Sequence, residues 1–182
     1  MYSSLPRSIV TSFVAGSLLI AAHSTSWAIS PITLTVRTVP IPEKKDPAAK
    51  KPPVKVDVDQ KKMEATLRNT SKEAVAGAVV NFYFIGKSAG APEPKVLDKD
   101  SKTQDIAPGT PVVVESKVAT ATFTPAHRTQ PAKGSTDKPE SVKAAGDKFA
   151  GWAVQVMSGA EILAEAYSSP AMKAVVTATP AP

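Results

Sequence analysis

The sequence predicts an all-β protein built as a single antiparallel β-sandwich, and three observations lead to this. Apolar and polar residues alternate over short runs, which is typical of half-buried strands. The 182 residues include 17 Pro and 9 Gly, which interrupt the chain too often for long helices. There is no Cys, so the fold must be held by its core alone. This length suits one domain rather than two.

The first 28 residues have the pattern of a signal peptide. Arg7 supplies a positive charge, and the apolar stretch Ile9 to Ala22 is too short to span a bilayer comfortably. Ser26 and Ala28 place small residues at −3 and −1, so we expect cleavage after Ala28; an uncleaved anchor is the alternative. Export without Cys favours a bacterial envelope protein, periplasmic or extracellular, and excludes a lipid-anchored cysteine at the mature N-terminus.

Residues 29–53 are expected to hold a first strand and then a Pro/Lys-rich arm. Ile32, Leu34 and Val36 alternate with polar residues, which suits a strand at a sheet edge. The prolines between Pro40 and Pro53 exclude regular structure and favour extended polyproline II.

The stretch Met63–Gly86 is expected to form the centre of the domain. Two apolar-alternating runs flank the polar turn Asn69–Glu73, which indicates two antiparallel strands. The second run, Ala78–Ile85, is apolar on both faces and therefore suits a central strand that is covered on two sides. A half-buried strand at Val54–Val58 comes before, with a polar break or bulge at Gln60–Lys62.

Further strands are predicted after this centre. A Pro/Gly-rich connection is followed by a short strand at Lys95–Leu97 and a turn with Pro108-Gly109 at its tip. Along the run Val112–Phe123, the apolar residues stand on one strand face at one end and on the opposite face at the other end. This predicts a bulge or sheet switch near Glu115–Lys117. Residues 124–146 lose the apolar pattern and are expected to be a flexible insertion.

The end of the chain predicts a hairpin. Phe149–Ser158 has strand character, with Gln155 pointing outward, and a turn at Gly159 leads into Ala160–Tyr167. This last segment is helical by propensity, but its context favours a return strand. We expect a last short strand at Met172–Val176 and a loose tail at residues 177–182.

The sandwich is expected to span residues 54–176, and its core should come from the inward positions of the strands. These are Val56, Met63, Leu67, Val80, Phe82, Phe84, Val114, Val118, Trp152, Val154, Val156 and Ile162.

No catalytic, cofactor or metal site is predicted. His127, the one His after the signal peptide, lies in the insertion, where a mobile loop does not preorganise a base. Glu161 and Glu165 are about 13 Å apart along an extended strand, too far for the carboxylates of a glycosidase. Asp98–Asp105 resembles a calcium loop but lacks the required Gly and Glu, so we expect a solvated hairpin loop. The Asn69-Thr-Ser sequon is interpreted as a chance match.

One set of residues resembles a known family. It comprises Leu67–Ser71, Val75 with Gly77, Val80–Phe84, and Ile106–Gly109 before the next strand. These residues resemble small immunoglobulin-like domains of the FxLYD type found in exported bacterial proteins. The literal Phe-x-Leu-Tyr-Asp string is absent, and Gly86 stands near the position of an acidic turn residue. The resemblance implies an immunoglobulin-like sandwich that serves as an interaction module without catalytic residues.

These observations predict a non-enzymatic protein-binding or assembly module of the bacterial envelope, such as an accessory of a pilus or secretion apparatus. It would bind a protein partner or itself through a sheet face or an exposed edge. A basic cell-wall or polyanion binder is one alternative, since the net charge is +6 and the pI about 9.5. A hydrolase with an unrecognised site is the other. Steep weakening by salt would identify the polyanion binder.

Overall fold

The structure is a computed structural model that describes residues 30–42, 54–129 and 138–177. The predicted signal peptide, most of the Pro/Lys-rich arm and the last five residues lie outside these ranges. Within them the chain forms ten strands and one short helix. They are β1 (Ile32–Ile41), β2 (Asp57–Asn69), β3 (Val75–Ser88), β4 (Pro94–Ile106), β5 (Pro111–Glu115), β6 (Ala119–Thr124), β7 (His127–Arg128), β8 (Ser141–Val142), β9 (Ala145–Ser158), β10 (Glu161–Tyr167) and α1 (Pro170–Thr177).

The strands form an antiparallel β-sandwich, which confirms the predicted fold class. One sheet has the order β1-β2, with β5 and β6 both pairing along the far side of β2. The other sheet has the order β4-β3-β9-β10. In immunoglobulin lettering these are strands A-B-E and C′-C-F-G, so the architecture is immunoglobulin-like. The two sheets are joined where β6 pairs with the first residues of β9.

The two central runs of the sequence are both strands, but they are not paired with each other. β2 lies in one sheet and β3 in the other, so the turn between them crosses the sandwich instead of closing a hairpin. Their apolar faces meet across the core, which gives both runs the same inward pattern. β1 pairs with β2 over its whole length and is therefore part of the sandwich rather than of the arm.

The prediction that β3 is covered on both sides is confirmed. Its inner face contributes Val80, Phe82 and Phe84 to the core between the sheets. Its outer face, with Tyr83 and Ile85, is covered by Met172 and Val176 of α1 in a second cluster that includes Ala153.

Most of the predicted core is confirmed. Met63, Leu67, Val80, Phe82, Phe84, Val114, Val154 and Val156 are buried, and Trp152 is partly buried against them. Three predictions are wrong, because Val56, Val118 and Ile162 are 42%, 45% and 47% exposed. Val56 precedes the first residue of β2, and Val118 lies in the break between β5 and β6. A register shift in β10 places Leu163 in the core instead of Ile162.

Several segment predictions are also corrected. Asp98–Asp105 is not a hairpin loop, because β4 continues to Ile106 as a charged edge strand beside β3. The expected break at Gln60–Lys62 is absent from the continuous strand β2. The predicted break near Glu115–Lys117, in contrast, separates β5 from β6.

The last predicted strand is a helix. Met172–Val176 lies within α1, whose first residue is Pro170, a residue that suits the first helical turn. Met172 and Val176 are four residues apart, so the helix presents both to the apolar outer face of β3. Tertiary burial thus decides against the strand preference of Val175 and Val176.

Two further details differ from expectation. Gln155 lies on the outer face but is only 7% exposed, and its amide donates to the Tyr167 hydroxyl at 3.3 Å. The described ends of the 124–146 insertion pair as β7 and β8, while residues 130–137 lie outside the described residues.

Candidate binding edge and cleft

The two lateral sides of the sandwich differ in how they are closed. On the β4–β5 side, Lys117 Nζ contacts Asp98 Oδ1 at 2.7 Å. The Lys117 N–H also donates to Asp100 Oδ2 at 2.7 Å. These contacts join the edge of one sheet to the other, so the acidic residues that suggested a calcium loop are engaged in closing this side.

On the β1–β10 side, a hydrogen bond joins the two sheets at one end. There the Ser30 hydroxyl donates to the carbonyl of Leu163, the residue at the β10 bulge. Towards the other end β10 stops at Tyr167 and the chain turns into α1. Ser168, the next residue, still bonds to β9. Its N–H donates to the Trp152 carbonyl at 3.0 Å, and its hydroxyl accepts from the Trp152 N–H at 2.9 Å.

An aromatic cleft lies between the sheets where β10 has ended. Its volume is about 190 Å³, and we call it the aromatic cleft; it is lined by Thr38, Lys61, Phe84, Phe149, Ala150, Gly151 and Trp152. The Phe84 and Phe149 ring centroids are 6.0 Å apart at 48°. Lys61 Nζ lies 5.1 Å from the Phe149 centroid and 3.0 Å from Asp59 Oδ2. The walls therefore combine apolar and polar surface, with one ion-paired lysine over an aromatic ring.

A bulge in β9 shapes the cleft floor. Ile85 is opposite Gly151 and Gly86 is opposite Phe149, so Ala150 is the extra residue of β9. A Cβ on Gly86 would lie 2.5 Å from the Lys148 carbonyl oxygen, so the close approach of β3 and β9 requires glycine here. The sequence predicted the core role of Phe84 and Trp152 but carried no signal for the bulge.

The free side of β1 carries backbone groups that can accept a further strand. The Thr70 N–H donates to the Pro31 carbonyl at 2.8 Å, which makes these two residues a hydrogen-bonded pair in the β1–β2 register. Because antiparallel ladders alternate bonded and non-bonded pairs, odd-numbered residues of β1 bond to β2. Even-numbered residues point their N–H and C=O groups away from β2.

Three residues make up this free side. The Ile32 N–H is engaged by the Ser30 hydroxyl, and Pro40 has no N–H. In the described part of the chain, Leu34, Val36 and Thr38 pair with no strand on that side. We call these three residues the β1 edge. Thr38 belongs to both the β1 edge and the aromatic cleft, so the two features are continuous.

The edges of the sandwich differ in charge. The outermost strand β4 carries Lys and Asp residues along its length, which is a common protection against strand addition. β1 has a single charged residue, Arg37, and its guanidinium donates to Glu64 at 2.6 Å. This bond, aided by Lys62, holds the pKa of the Glu64 carboxyl below its ordinary value. The β1 edge thus lacks the charges that protect β4.

The residues considered for catalysis or metal binding lie apart from the cleft lining. His127 is half-buried in β7, with Nδ1 3.1 Å from the Pro125 carbonyl. Glu165 is ion-paired with Lys173 of α1, and these contacts lower its pKa. Within the described ranges, no group of three or more His, Cys, Asp or Glu residues is placed to hold a metal ion.

The sequon asparagine has an internal role. Asn69 is fully buried, and its Nδ2 donates to the carbonyls of Glu73 and Ile106 at 2.7 and 3.1 Å. The amide that a glycan would modify is therefore inaccessible in the folded protein.

No protein-family model and no curated protein matches the chain. A solved structure, the X-ray structure of Northeast Structural Genomics Consortium target SoR45, matches 65% of this chain and 83% of its own, with 15% identity and a TM-score of 0.31. A likeness of this size carries no information about function. In the ranges that the structure covers, no helix has the length and apolar character needed to cross a membrane.

Proposed function

We propose that this protein is a non-enzymatic binding or assembly module of the bacterial cell envelope, and that an extended segment of a protein partner adds to its β1 edge. The observation that carries the proposal is the combination of backbone groups at Leu34, Val36 and Thr38 that no described strand engages with the aromatic cleft beside them. Strand addition uses main-chain hydrogen bonds for affinity and side-chain pockets for specificity. The β1 edge supplies the main-chain groups, and the aromatic cleft supplies the side-chain pocket.

The envelope part of the proposal rests on the sequence. The signal-peptide pattern of residues 1–28 and the absence of Cys support export in a bacterium. The resemblance to FxLYD-type domains supports an interaction module of an exported protein. An accessory role in a surface structure such as a pilus or secretion apparatus fits this location and this mode of binding.

Site-specific crosslinking tests the proposal. A photo-crosslinking amino acid at Thr38 in cells that naturally produce the protein should capture a protein partner. The control places it at Thr103, an exposed residue of the charged edge strand β4. Capture from Thr38 but not from Thr103 is expected. Free chain from both positions across growth conditions, or equal capture from both, would reject edge binding.

The polyanion-binding alternative has one structural feature in its favour. Arg68 and Lys72, which form no ion pair in the described residues, line a shallow groove beside Pro108 and Gly109. Salt distinguishes the two functions, because a polyanion complex weakens steeply with ionic strength whereas strand addition does not. Capture at Thr38 that persists when the crosslinking itself is carried out in about 0.5 M salt would exclude the polyanion interpretation.

A further inference from the structure

We infer that the strand added at the β1 edge is the β1 edge of a second copy of this chain, in an antiparallel pairing with a two-fold axis at Val36. This inference rests on the proposed function, which identifies β1 as the binding edge. It goes further by identifying the partner and the register.

The hydrogen-bonding groups determine which registers are open. Residues that point outward on one strand must meet outward-pointing residues on the other, so even-numbered residues pair with even-numbered ones. With the axis at Val36, Leu34 is opposite Thr38 of the second copy, and Val36 is opposite its own counterpart. Each residue of the β1 edge then meets another residue of the edge. Shifting the axis towards Leu34 would require Ile32, which Ser30 already engages.

Charge selects the same register. With the axis at Val36, Arg37 is opposite Thr35 of the second copy, so no like charges face each other directly. With the axis at Arg37, the two guanidinium groups would be directly opposite, an arrangement that destabilises a sheet. In the Val36 register each Arg37 keeps its ion pair with Glu64 and faces no second guanidinium group.

The aromatic cleft gives this pairing an apolar contact. Leu34, Val36 and Thr38 share the inward face of β1, and Leu34 and Val36 are only partly buried against the core. Leu34 of the second copy would stand opposite Thr38, at the mouth of the cleft beside Phe149 and Trp152. The two-fold axis repeats this contact, so dimerisation covers the half-exposed Leu34 and the aromatic cleft of both copies.

Disulfide trapping tests the register, because the chain has no native Cys. In a hydrogen-bonded antiparallel pair the Cα atoms are about 5.5 Å apart, which lies within disulfide range. Purified Val36→Cys should therefore form a covalent dimer on oxidation. Leu34→Cys is the matched control: the two copies of residue 34 would be about 13 Å apart, too far to bridge. Trapping of both variants equally, or of neither, overturns the inference.

Sedimentation equilibrium supplies an independent measurement. The unmodified protein should dimerise, and Val36→Pro should weaken the dimer roughly 25-fold, because two hydrogen bonds worth about a factor of five each are lost. The Val36 N–H makes no bond to β2, so proline on this edge should leave the fold intact by circular dichroism. A purified protein that stays monomeric while Thr38 captures a different protein in cells would reject the two-fold pairing and leave the proposed function standing.

Discussion

Asn69 holds the point at which the chain crosses from one sheet to the other, and its removal should weaken the fold. Asn69 ends β2 and is fully buried. Its Nδ2 donates to the carbonyls of Glu73 and Ile106, and its Oδ1 accepts from the N–H and hydroxyl of Ser71 at 2.9 and 2.7 Å. One side chain therefore joins the end of β2, the crossing turn and the end of β4.

Asn69→Ala should cost roughly 2–4 kcal/mol of unfolding free energy. Each internal hydrogen bond contributes about 0.5–1.5 kcal/mol net, and a buried group left without its partner costs about 1–3 kcal/mol. The loss of the buried bond to Ile106 should have its full free-energy cost. Ser71 lies close enough to water that hydration offsets part of the cost of its lost bonds.

Two matched variants separate the contributions. Asn69→Asp keeps the shape and the acceptor but turns carboxylate oxygens towards the carbonyls of Glu73 and Ile106. It should therefore cost at least as much as Asn69→Ala at neutral pH, and less at a pH low enough to protonate the new carboxyl group. Ser71→Ala removes only the hydroxyl bonds near the surface and should cost less than about 1 kcal/mol.

Urea denaturation gives the free energies, provided that the m-value is unchanged among the variants. An Asn69→Ala protein within about 0.5 kcal/mol of the unmodified chain would refute the reasoning. So would a Ser71→Ala protein as unstable as Asn69→Ala, because the loss would then come from the turn and not from the bridge to β4.

Three further predictions concern stability. Phe82 is fully buried, so Phe82→Ala should cost about 3–5 kcal/mol and Phe82→Asp should leave no folded protein by circular dichroism. Val118→Thr, at an exposed site, should stay within about 0.5 kcal/mol; a folded Phe82→Asp protein would show that Phe82 is not in the core. Gly86→Ala should cost about 1–3 kcal/mol because its Cβ would meet a backbone oxygen, and an unchanged melting temperature would contradict the close approach of β3 and β9. The bond to Lys173, together with that from Tyr167, lowers the pKa of the Glu165 carboxyl below its ordinary 4.5. The Glu165–Lys173 ion pair therefore stabilises the fold above that pH. This stabilisation is lost as the pH falls through the lower pKa of the folded state. Glu165→Gln should therefore be less stable at pH 7 and indistinguishable at about pH 2; parallel stability curves from pH 7 to pH 2 would show that the pair contributes nothing.

Strand positions were predictable from the sequence because a half-buried strand alternates its side chains whatever it pairs with. The inward residues of β2 and β3 are apolar for this reason, and most of the core followed from them. The two apolar faces of β3 predicted a cover on each side, although the sequence did not identify α1 as the outer one. The change of parity in Val112–Phe123 marked the break at Ser116, because a switch of face is visible in a pattern of period two.

Strand partners were decided only by the tertiary structure. Alternation shows that a segment is extended, but hydrogen bonds between strands join backbone groups that carry no residue-specific signal. For this reason two adjacent runs looked like one antiparallel pair and are instead in opposite sheets. The charged edge strand β4 looked like a loop for a related reason, since an edge strand tolerates polar residues on both faces.

The candidate binding site, like the choice of strand partners, was decided by the tertiary structure. The sequence showed that Leu34 and Val36 share one face of a strand, and it predicted Phe84 and Trp152 as core aromatics. It predicted the end of the return strand at Tyr167, but it did not determine that β9 carries a bulge at Ala150 or that the β1 edge lies beside the resulting cleft. Those facts depend on where non-local strands end relative to one another, and only the folded chain brings those ends together.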